Sequence, residues 1–558
     1  MTSKRTRVFT YDTTLRDGTQ ALGVSLSVQD KLLVAEMLDS LSVDYIEGGY
    51  PLSNPKDESF FQEVRKLKLR TARIAAFGMT RRRDVQAGKD VGLTALLKSE
   101  APVVTIVGKS WDMQARKVLK VSLDENLAMI ADSIKLMARR KRETVFDAEH
   151  FFDGWQANPE YALQTLRAAH DAGADWLVLC DTNGGSLPDR IAEAVREACT
   201  ALPEAKFGIH CHNDCGLAVA NSLAAVSAGA VHVQGTVNGI GERCGNADLT
   251  TVVANLAIKC GCDVLTEGAL AKLTDTSRFV YEVANLNFQE SQPFVGAAAF
   301  AHKGGMHVHA VRRESRSYEH MNPTVVGNAR RILVSELSGV SNIAATVPEK
   351  FGLSGDRKAQ KRILDRVAQM ENEGYQFEAA EASFEVLIRR TLGDNWHRSL
   401  WDLDHYRTVI YKRDKMEANT EAIVKVRLDD EICHTVAEGD GPVDSLYKAL
   451  RSALRKKYQI IDTLHLVDYK VRVVNTAAET AAKVRVIIDW HDSATMGYFG
   501  SVGVSENIIE ASWLAITDAI EYTVLNSADS HRTPSDAKPT AAGKRTGSRQ
   551  TKAGGRKA

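Results

Sequence analysis

The sequence has no long apolar run. No window approaches the roughly 18–20 apolar residues that a helix needs to span a bilayer. The opening segment MTSKRTRVFTYD is basic but has no apolar stretch of the kind that forms a secretory leader. We therefore expect a cytoplasmic protein.

An excess of charge of either sign is also absent. The 558 residues include 71 Lys and Arg and 71 Asp and Glu, so the overall charge gives no reason to expect nucleic acid or an anionic membrane as the main partner. A chain of this length, with 44% hydrophobic residues, can bury more than one core. These features favour a multidomain protein that acts on small molecules.

Cysteine is scarce. Eight cysteines in the whole chain are too few for a disulfide scaffold, and we expect reduced thiols. Cys211 and Cys215 flank histidines, and Cys260 and Cys262 form a close pair, but the second pair of a zinc ribbon is missing. The spacing therefore disfavours a structural zinc site.

The first half of the chain alternates short apolar runs with helical patterns, which is the pattern of repeated βα units. Eight such units predict a (β/α)8 TIM barrel. A doubly wound sheet would have fewer strands and a glycine-rich phosphate turn after the first, where this chain has TLRDGTQ. The expected strands are 8–11, 44–47, 73–77, 103–107, 144–146, 176–180, 206–209 and 231–237.

The chain after the barrel changes character twice. We expect a TIM-barrel domain at 1–273, a largely helical accessory and linker region at 274–419, and a smaller α+β domain at 420–526. In that last domain a strand, glycine loop and helix occur twice, which indicates a pseudo-duplication. The basic, polar segment 527–558 is predicted to be disordered.

Polar clusters follow the expected strands directly, where the βα loops of a TIM barrel form its active site. The clusters are Arg16-Asp17-Gly18 after the first strand, Asp147 to His150 after the fifth, Asp181 to Gly184 after the sixth, His210 to Asp214 after the seventh and Asn238 to Asn246 after the eighth. Scattered surface polarity would not follow the strands in this way.

Three of these clusters suggest a metal site. His210 and His212 are two residues apart, so on an extended strand end they project to the same side. Asp17 and the amide oxygen of Asn246 would complete a mixed nitrogen and oxygen ligand set that suits Mg²⁺ or Mn²⁺ and is compatible with Zn²⁺. Arg16 beside Asp17 supplies a permanent cation of the kind that stabilises a developing enolate or alkoxide. Each motif taken alone has a plainer interpretation. His210 and His212 could be two histidines whose hydrogen bonds are satisfied within the protein, and Arg16 and Asp17 could be an ordinary surface ion pair.

The segments TLRDGTQ, HCHND and GIGERCGNA together resemble the DRE-TIM metallolyases, the group of 2-isopropylmalate, homocitrate and citramalate synthases. The resemblance extends through FAHKGGMHVHAV and the C-terminal duplication, which is similar to a regulatory domain for a branched-chain amino acid. EGGYPLSNPKD and VFDAEHFFDG look most like the citramalate synthase branch. An isopropylmalate synthase would more usually show an EVGFP-like turn.

This resemblance implies Claisen condensation of acetyl-CoA with pyruvate, followed by thioester hydrolysis, to give (R)-citramalate for isoleucine biosynthesis. It implies that Asp17, His210, His212 and Asn246 hold the metal and that Arg16 polarises the ketone. Thr182 would bind the substrate carboxylate. Isopropylmalate synthases have DTVG where this chain has Asp181-Thr182-Asn183-Gly184. The resemblance therefore places the polar Asn183 near the acceptor's side chain, which suits a small acceptor.

The resemblance also suggests the groups that move protons. His307 in the segment Gly305-Met306-His307 corresponds to the catalytic base, Tyr318 to a tyrosine that assists it or the hydrolysis, and Glu149 to the acidic position after strand five. Spacing alone does not show that His307 or Tyr318 reaches the barrel mouth, and either could be a packing residue.

Several alternatives remain open at this stage. Condensation with another 2-oxo acid, as in 2-isopropylmalate or homocitrate synthases, would use the same barrel. A lyase like HMG-CoA lyase would share the metal set but would not need the C-terminal duplication. An inert amino-acid-binding regulator would not need Arg16 and the complete ligand set. For a synthase, the resemblance implies a homodimer inhibited by isoleucine.

Overall fold

The computed structural model describes residues 5–302, 305–332, 351, 353, 356–393, 397, 399–415, 417–474, 482–495 and 497–529. The chain divides into two compact units. The first consists of residues 1–301 and 315–331, and the second consists of residues 302–314 and 332–558.

The first unit contains a closed barrel of eight parallel strands, in which β1 pairs with both β2 and β8. The predicted TIM barrel is therefore confirmed, with each strand within a few residues of its expected position. The strands are β1 Phe9–Asp12, β2 Tyr45–Gly49, β3 Arg73–Met79, β4 Val103–Lys109, β5 Glu143–Glu149, β6 Trp176–Asp181, β7 Phe207–Cys211 and β8 His232–Gly235.

Ten α-helices lie between and after these strands in the described part of the first unit. They begin where the local sequence supplies caps: Ser27 and Asp30 form the expected capping box of α1, and the Asn158 side chain accepts from the Tyr161 N–H at the start of α6. The helices are α1 Val28–Ser40, α2 Pro55–Glu63, α3 Val91–Lys98, α4 Leu123–Arg139, α5 Phe151–Ala157, α6 Pro159–Asp171, α7 Pro188–Ala201, α8 Ala218–Ala228, α9 Leu249–Ile258 and α10 Leu273–Val283.

The barrel interior is filled by side chains and is not a channel. Tyr11, Tyr45 and Trp176 pack around His232 at ring distances of 5.4, 5.6 and 4.9 Å. Burial lowers the pKa of His232 to about 3, so this histidine is a neutral packing residue. The filled interior leaves the loops at the carboxyl ends of the strands as the place for chemistry.

The second unit contains two three-stranded antiparallel sheets. The first has the order β11-β12-β13 and the second the order β14-β15-β16. The strands are β11 Asp402–Tyr411, β12 Asn419–Leu428, β13 Glu431–Gly439, β14 Leu464–Val473, β15 Val484–Asp492 and β16 Gly497–Ser505. Shorter strands, β9 Ala301–His302 and β10 Arg331–Ile332, lie at the boundaries of the two units.

Each three-stranded sheet precedes a helix, so the repeated segment is a βββα motif. The two helices, α14 Pro442–Leu454 and α15 Ile508–Asp529, share one apolar core with the sheets, in which Trp490 is fully buried. Sequence patterns predicted β12, β14 and β15 but missed β11, β13 and β16. Strand β11 lies inside the segment 274–419, for which we expected mostly helix.

The described part of the second unit also contains helices α11 Gly305–Arg313, α12 Arg357–Asn372 and α13 Glu381–Leu392. Phe351, Ile363, Phe384 and Val502 belong to one small core, which ties α12 and α13 to strand β16. Helix α15 continues through residues 527–529, the start of the segment predicted to be disordered, and the rest of that segment lies outside the described residues. Within the described ranges, no helix is long and apolar enough to cross a membrane.

Candidate metal centre and active site

Three side chains converge at the carboxyl end of the barrel. Asp17 follows β1, His210 lies near the end of β7 and His212 follows it, and their possible ligand atoms all lie within 4.8 Å of one another. Asp17 Oδ2 lies 3.4 Å from His210 Nε2 and 3.9 Å from His212 Nε2. All three are buried. A carboxylate and two imidazole nitrogens that share a buried point are a ligand set for a divalent cation.

Asn246 fits as a fourth ligand. It forms an isolated antiparallel bridge with His212, and its Nδ2 donates to the carbonyl of Ile240 at 3.3 Å. Its buried Oδ1 has no hydrogen-bond partner among the described residues. A buried amide oxygen without a partner is costly, and a bound cation would satisfy it. The donor chemistry therefore fits a metal ion.

A chain of hydrogen bonds orients His210. Its Nδ1 lies 2.9 Å from Gln234 Oε1, and Gln234 Nε2 donates to Asp147 Oδ1 at 3.1 Å. A proton held on Nδ1 in this way leaves Nε2 free to bind a metal. The sequence did not predict Gln234 or assign a role to Asp147, because their contact joins β8 to β5 across the barrel.

Burial and charge tune the acidities in this cluster. Burial and the neighbouring His210 lower the pKa of His212 to about 4, so its imidazole is neutral at pH 7. Burial alone would raise the pKa of Asp17, but the Arg16 guanidinium and the histidines hold it well below its ordinary value. Burial opposes a charge on His210, yet the hydrogen bond with Asp17 raises its pKa. A carboxylate and a neutral imidazole are the forms that bind metal.

Arg16 is held in three directions. Its Nε donates to Glu47 Oε2 at 2.6 Å, its Nη1 lies 3.4 Å from Asp17 Oδ2, and its guanidinium lies 4.0 Å from the centre of the Phe77 ring. Glu47 is fully buried and lies on β2. These contacts hold the guanidinium as a cation beside the candidate metal ligands.

Glu47 is the residue that the sequence interpretation missed at this point. Besides Arg16, it accepts hydrogen bonds from the Tyr11 hydroxyl at 2.6 Å and the Thr13 hydroxyl at 2.5 Å. Asp147 lies close enough for Glu47 to affect it: burial and the Glu47 charge raise the pKa of Asp147 to about 7. The only sequence signal was a glutamate at the end of the expected second strand, immediately before Gly48 and Gly49.

Glu149 ends β5, as expected for the acidic position. It forms an ion pair with Lys109, the last residue of β4, and lies 4.0 Å from His150 Nε2. Lys109 was not predicted from the sequence. The pair lies at the same end of the barrel as the metal ligands, and the catalytic role of Glu149 stays a prediction.

Thr182 and Asn183 follow β6 at the same end of the barrel. The Thr182 hydroxyl oxygen accepts from the His150 N–H at 2.8 Å, so its proton can be donated elsewhere. The exposed Asn183 donates from Nδ2 to Asp153 Oδ2 at 3.0 Å. The side-chain amide of Asn183 is therefore hydrogen-bonded to the loop after β5. The role of Asn183 near the acceptor stays a prediction.

Arg243 joins three loops of the barrel. From the loop after β8 it donates to both carboxylate oxygens of Asp214, after β7, at 2.8 and 2.9 Å. It also donates to the carbonyl of Thr182, after β6, at 2.8 Å. Its φ of 56° is left-handed, a conformation that a non-glycine residue retains only when its surroundings enforce it. The clamp fixes the loops that carry His212, Asn246 and Thr182.

We expect Arg243→Gln to weaken divalent-metal binding about 10- to 100-fold, the usual effect of losing a group that orients metal ligands. Titration calorimetry with Mn²⁺ would measure the affinity. Arg190→Gln is the matched control, because Arg190 pairs with Glu193 at 2.8 Å on the outer face of α7. Equal Mn²⁺ affinity for the Arg243 variant and the control would refute the clamp.

His307 and Tyr318 belong to different compact units. His307 is exposed and lies on α11 in the second unit, whereas Tyr318 lies in the first unit and is 48% exposed. Their proposed roles in proton transfer therefore stay predictions from the resemblance.

Comparison with known proteins covers both units. A family model described as HMGL-like matches residues 7–280, one described as homocitrate synthase post-HMGL domain-like matches residues 294–375, and one described as LeuA allosteric (dimerisation) domain matches residues 378–524. The first match includes the whole barrel with its candidate ligands, and the last includes both antiparallel sheets.

Relatives of nearly equal length give a sharper assignment. The (R)-citramalate synthase of Aquifex aeolicus (strain VF5) is 48% identical over 522 residues, which cover 93% of this chain and 98% of the relative. That of Geobacter sulfurreducens is 49% identical over 520 residues, which cover 93% and 97%. The chain belongs to the citramalate synthase family. The 2-isopropylmalate synthase of Methanocaldococcus jannaschii is 30% identical over 521 residues, 92% of this chain and 94% of its own.

Family membership confirms the resemblance seen in TLRDGTQ, HCHND and GIGERCGNA. The difference between 48% and 30% identity favours the citramalate branch over the isopropylmalate branch. Because the matches extend far beyond the barrel, they also favour a synthase over the lyase-like alternative.

Proposed function

We propose that this protein condenses acetyl-CoA with pyruvate and hydrolyses the resulting thioester to give (R)-citramalate and free CoA. The observation that carries the proposal is the 44–49% identity to five (R)-citramalate synthases over nearly the whole chain. The buried cluster of Asp17, His210 and His212 gives such a reaction a physical basis.

Asp17, His210, His212 and Asn246 would hold a divalent cation. The two imidazoles and two oxygen donors suit Mg²⁺ or Mn²⁺ and would also accept Zn²⁺. When bound, the cation would act as a Lewis acid toward the carboxylate and keto oxygen of pyruvate.

Arg16 and Thr182 would then orient the acceptor. Arg16, locked by Glu47 and Phe77, would stabilise the negative charge that develops on the keto oxygen as the new carbon–carbon bond forms. The Thr182 hydroxyl, whose oxygen already accepts from His150, would donate its proton to the pyruvate carboxylate. Asn183 lies next in the same loop and would border the acceptor's methyl group.

The acetyl methyl must lose a proton before it attacks the ketone. We propose His307 as the base, with Tyr318 assisting the proton transfers and Glu149 as the acidic group after β5. The enolate carbon bonds to the keto carbon, whose oxygen is then protonated. Water attacks the thioester, and CoA leaves as its thiol.

A panel of acceptors tests the reaction. Thiol release from acetyl-CoA should be fastest with pyruvate, and slower by at least about tenfold with 2-oxoisovalerate and 2-oxoglutarate, because a pocket that discriminates by one or two carbons supplies about 1–3 kcal/mol. Preference for 2-oxoisovalerate would favour an isopropylmalate synthase. Cleavage of a 3-hydroxy-3-methylglutaryl thioester without condensation would favour a lyase.

We further propose that the second unit forms a homodimer. Its sheets expose apolar side chains that a monomer would leave in water. Ile410, Ile432 and Val436 on the first sheet and Val467 and Val473 on the second are 48–63% exposed. Exposed apolar patches of this kind mark interaction surfaces. The match to a dimerisation domain supports the same assignment.

We propose isoleucine as the feedback inhibitor and the cytoplasm as the site of action. A cavity of about 400 Å³ in the second unit is lined by Val443, Asp444, Tyr447, Arg451 and Leu464, among others. Opposite charges next to apolar side chains suit a branched-chain amino acid. All eight cysteines are free thiols, which agrees with a reducing compartment.

We expect isoleucine to inhibit the full-length protein and Tyr447→Ala to reduce its sensitivity about tenfold or more without changing the uninhibited rate. Truncation before Glu421 is a poor test, because it would separate β11 from its partner β12 and remove Val502 from the core that holds α12 and α13. Inhibition curves that coincide for the two full-length proteins would overturn this assignment of the effector cavity.

A further inference from the structure

The loop after β4 has an unusual backbone. Residues Gln114–Leu119 form a π-helix, a rare conformation that often marks a functional site. It ends at Lys120, whose φ of 57° is left-handed. The candidate metal centre uses neither feature. The candidate metal centre therefore does not explain the backbone conformation of this segment.

The π-helix and the adjacent loop after β3 carry exposed cations. Arg116, Lys117 and Lys120 are exposed in the first segment, and Arg82 and Arg83 in the second. Arg83 Nη1 donates to the carbonyl of Lys120 at 3.2 Å, which brings the two segments together. Within the described part of the chain, the one ion pair of these five side chains is between Arg83 and Asp84, at 3.8 Å.

Neighbouring cations are already neutralised. Arg81 is buried and donates to Glu125 and Asp132, both at 2.8 Å, and Lys109 forms an ion pair with Glu149. In the segments 80–89 and 110–120, the carboxylates are Asp84 and Asp112. A positive surplus therefore remains on the surface of these two loops.

The surplus lies at the end of the barrel that holds the candidate metal ligands. Strands β3 and β4 are neighbours, and both loops begin where these strands end. Phe77 on β3 contacts Arg16, with 4.0 Å from the guanidinium to the ring centre, and the Phe77 ring lies 6.1 Å from that of Tyr50. The charged loops thus form the rim on the side of the barrel that flanks Arg16.

We propose that this cationic rim, defined as Arg82, Arg83, Arg116, Lys117 and Lys120, binds the 3′-phosphate and pyrophosphate of the acyl-CoA cosubstrate. The inference rests on the proposed function. Arginine and lysine are the standard partners of phosphate oxygens, and Val118 on the same π-helix is 57% exposed, which offers apolar surface beside the charges. The acyl end of the molecule would then extend from the rim towards Arg16.

Two charge-removing variants test the rim: Arg116→Gln/Lys117→Gln/Lys120→Gln and Arg82→Gln/Arg83→Gln. We expect the KM for acetyl-CoA to rise about tenfold or more, with kcat and the KM for pyruvate within about twofold of wild type. The acetyl-CoA KM of wild type should also rise with KCl concentration, and that of the variants should rise less.

The matched control is Arg139→Gln/Arg140→Gln/Lys141→Gln. These three exposed cations lie at the end of α4 and in the turn before β5, so they are at the opposite end of the barrel. Lys141 has a left-handed φ of 58°, as Lys120 has one of 57°. The control should leave every kinetic constant within about twofold of wild type. Melting temperatures of all variants should match that of wild type, because the substituted side chains are exposed.

S-acetylpantetheine, which lacks the 3′-phosphate and pyrophosphate, separates the possible outcomes. Wild type should prefer acetyl-CoA strongly over this analogue, and the rim variants should lose most of that preference. The inference would be overturned if the rim variants kept the wild-type KM for acetyl-CoA, or if their KM for the analogue rose as much as their KM for acetyl-CoA. It would also be overturned if the KM of the control for acetyl-CoA rose as much as that of the rim variants. A wild-type protein that does not condense acetyl-CoA with pyruvate would instead refute the proposed function.

Discussion

Replacing Asp17 or His210 with alanine is expected to abolish turnover and to remove tight binding of a divalent cation. Each change deletes one of four candidate ligands. Asp17→Ala also leaves His210 Nε2 without the carboxylate oxygen that lies 3.4 Å away. Lewis-acid catalysis is worth several kcal/mol, which corresponds to a loss of roughly 10³-fold or more in rate. Mn²⁺ titration and thiol-release kinetics would measure the two effects on the same samples.

His170→Ala provides the control for the histidine variant. His170 lies on α6 beside Asp171, with a contact of 3.2 Å at the surface, and its loss should leave both metal affinity and rate unchanged. A His210 variant that retained wild-type rate with stoichiometric metal would reject the ligand assignment.

Arg16→Lys is expected to preserve the fold and reduce kcat by roughly 10²- to 10³-fold, the usual effect of losing one preorganised group that stabilises an oxyanion. The guanidinium contacts Glu47, Asp17 and the Phe77 ring at once. A lysine ammonium is a compact charge that cannot reproduce this fork. Steady-state kinetics at saturating metal would show the change mainly in kcat.

The matched substitution is Arg190→Lys at the surface of α7, which should be silent. Circular dichroism and melting temperature would establish that the Arg16 variant is folded. If Arg16→Lys retained full kcat, Arg16 would have no part in stabilising the reaction's negative charge.

The barrel could be predicted from sequence because its signals are local. Each strand is a short buried apolar run, and helix starts such as Ser27 with Asp30 and Asn158 with Pro159 follow standard capping chemistry. The positions of His210 near a strand end and of Asp17 and Asn246 in the loops after strands followed from the same pattern, since all parallel strands of a barrel end on one face.

The groups that orient the ligands could not be predicted in the same way. Glu47 contacts Arg16 from β2, Gln234 links His210 to Asp147, and Arg243 crosses to Asp214 and Thr182. Each contact joins residues that are distant in sequence. A single sequence carries no local signal for such pairings, because it gives residue types but not the registers that bring them together.

The antiparallel sheets of the second unit show a related limit. Strands β11 and β13 carry few buried side chains: β11 Asp402–Tyr411 is exposed along most of its length, and in β13 Glu431–Gly439 exposed and half-buried residues alternate. A strand that buries little has a weak apolar pattern. Strand β14 also buries little, but the alternation at its KVRV end was enough to predict it. Strand β16 is buried over much of its length, but its glycines and serines interrupt the apolar pattern, and it was missed. The central strand β12 alternates buried and half-buried residues over most of its length, and it was predicted.

Direct identification of the product tests the central claim. Purified full-length protein would be incubated with acetyl-CoA, pyruvate and Mg²⁺ or Mn²⁺, and the product resolved by chiral chromatography with mass detection. We expect one (R)-citramalate for each CoA released, and no product after the divalent metal is removed. Release of CoA without citramalate, or efficient condensation only with a larger 2-oxo acid, would contradict the central claim.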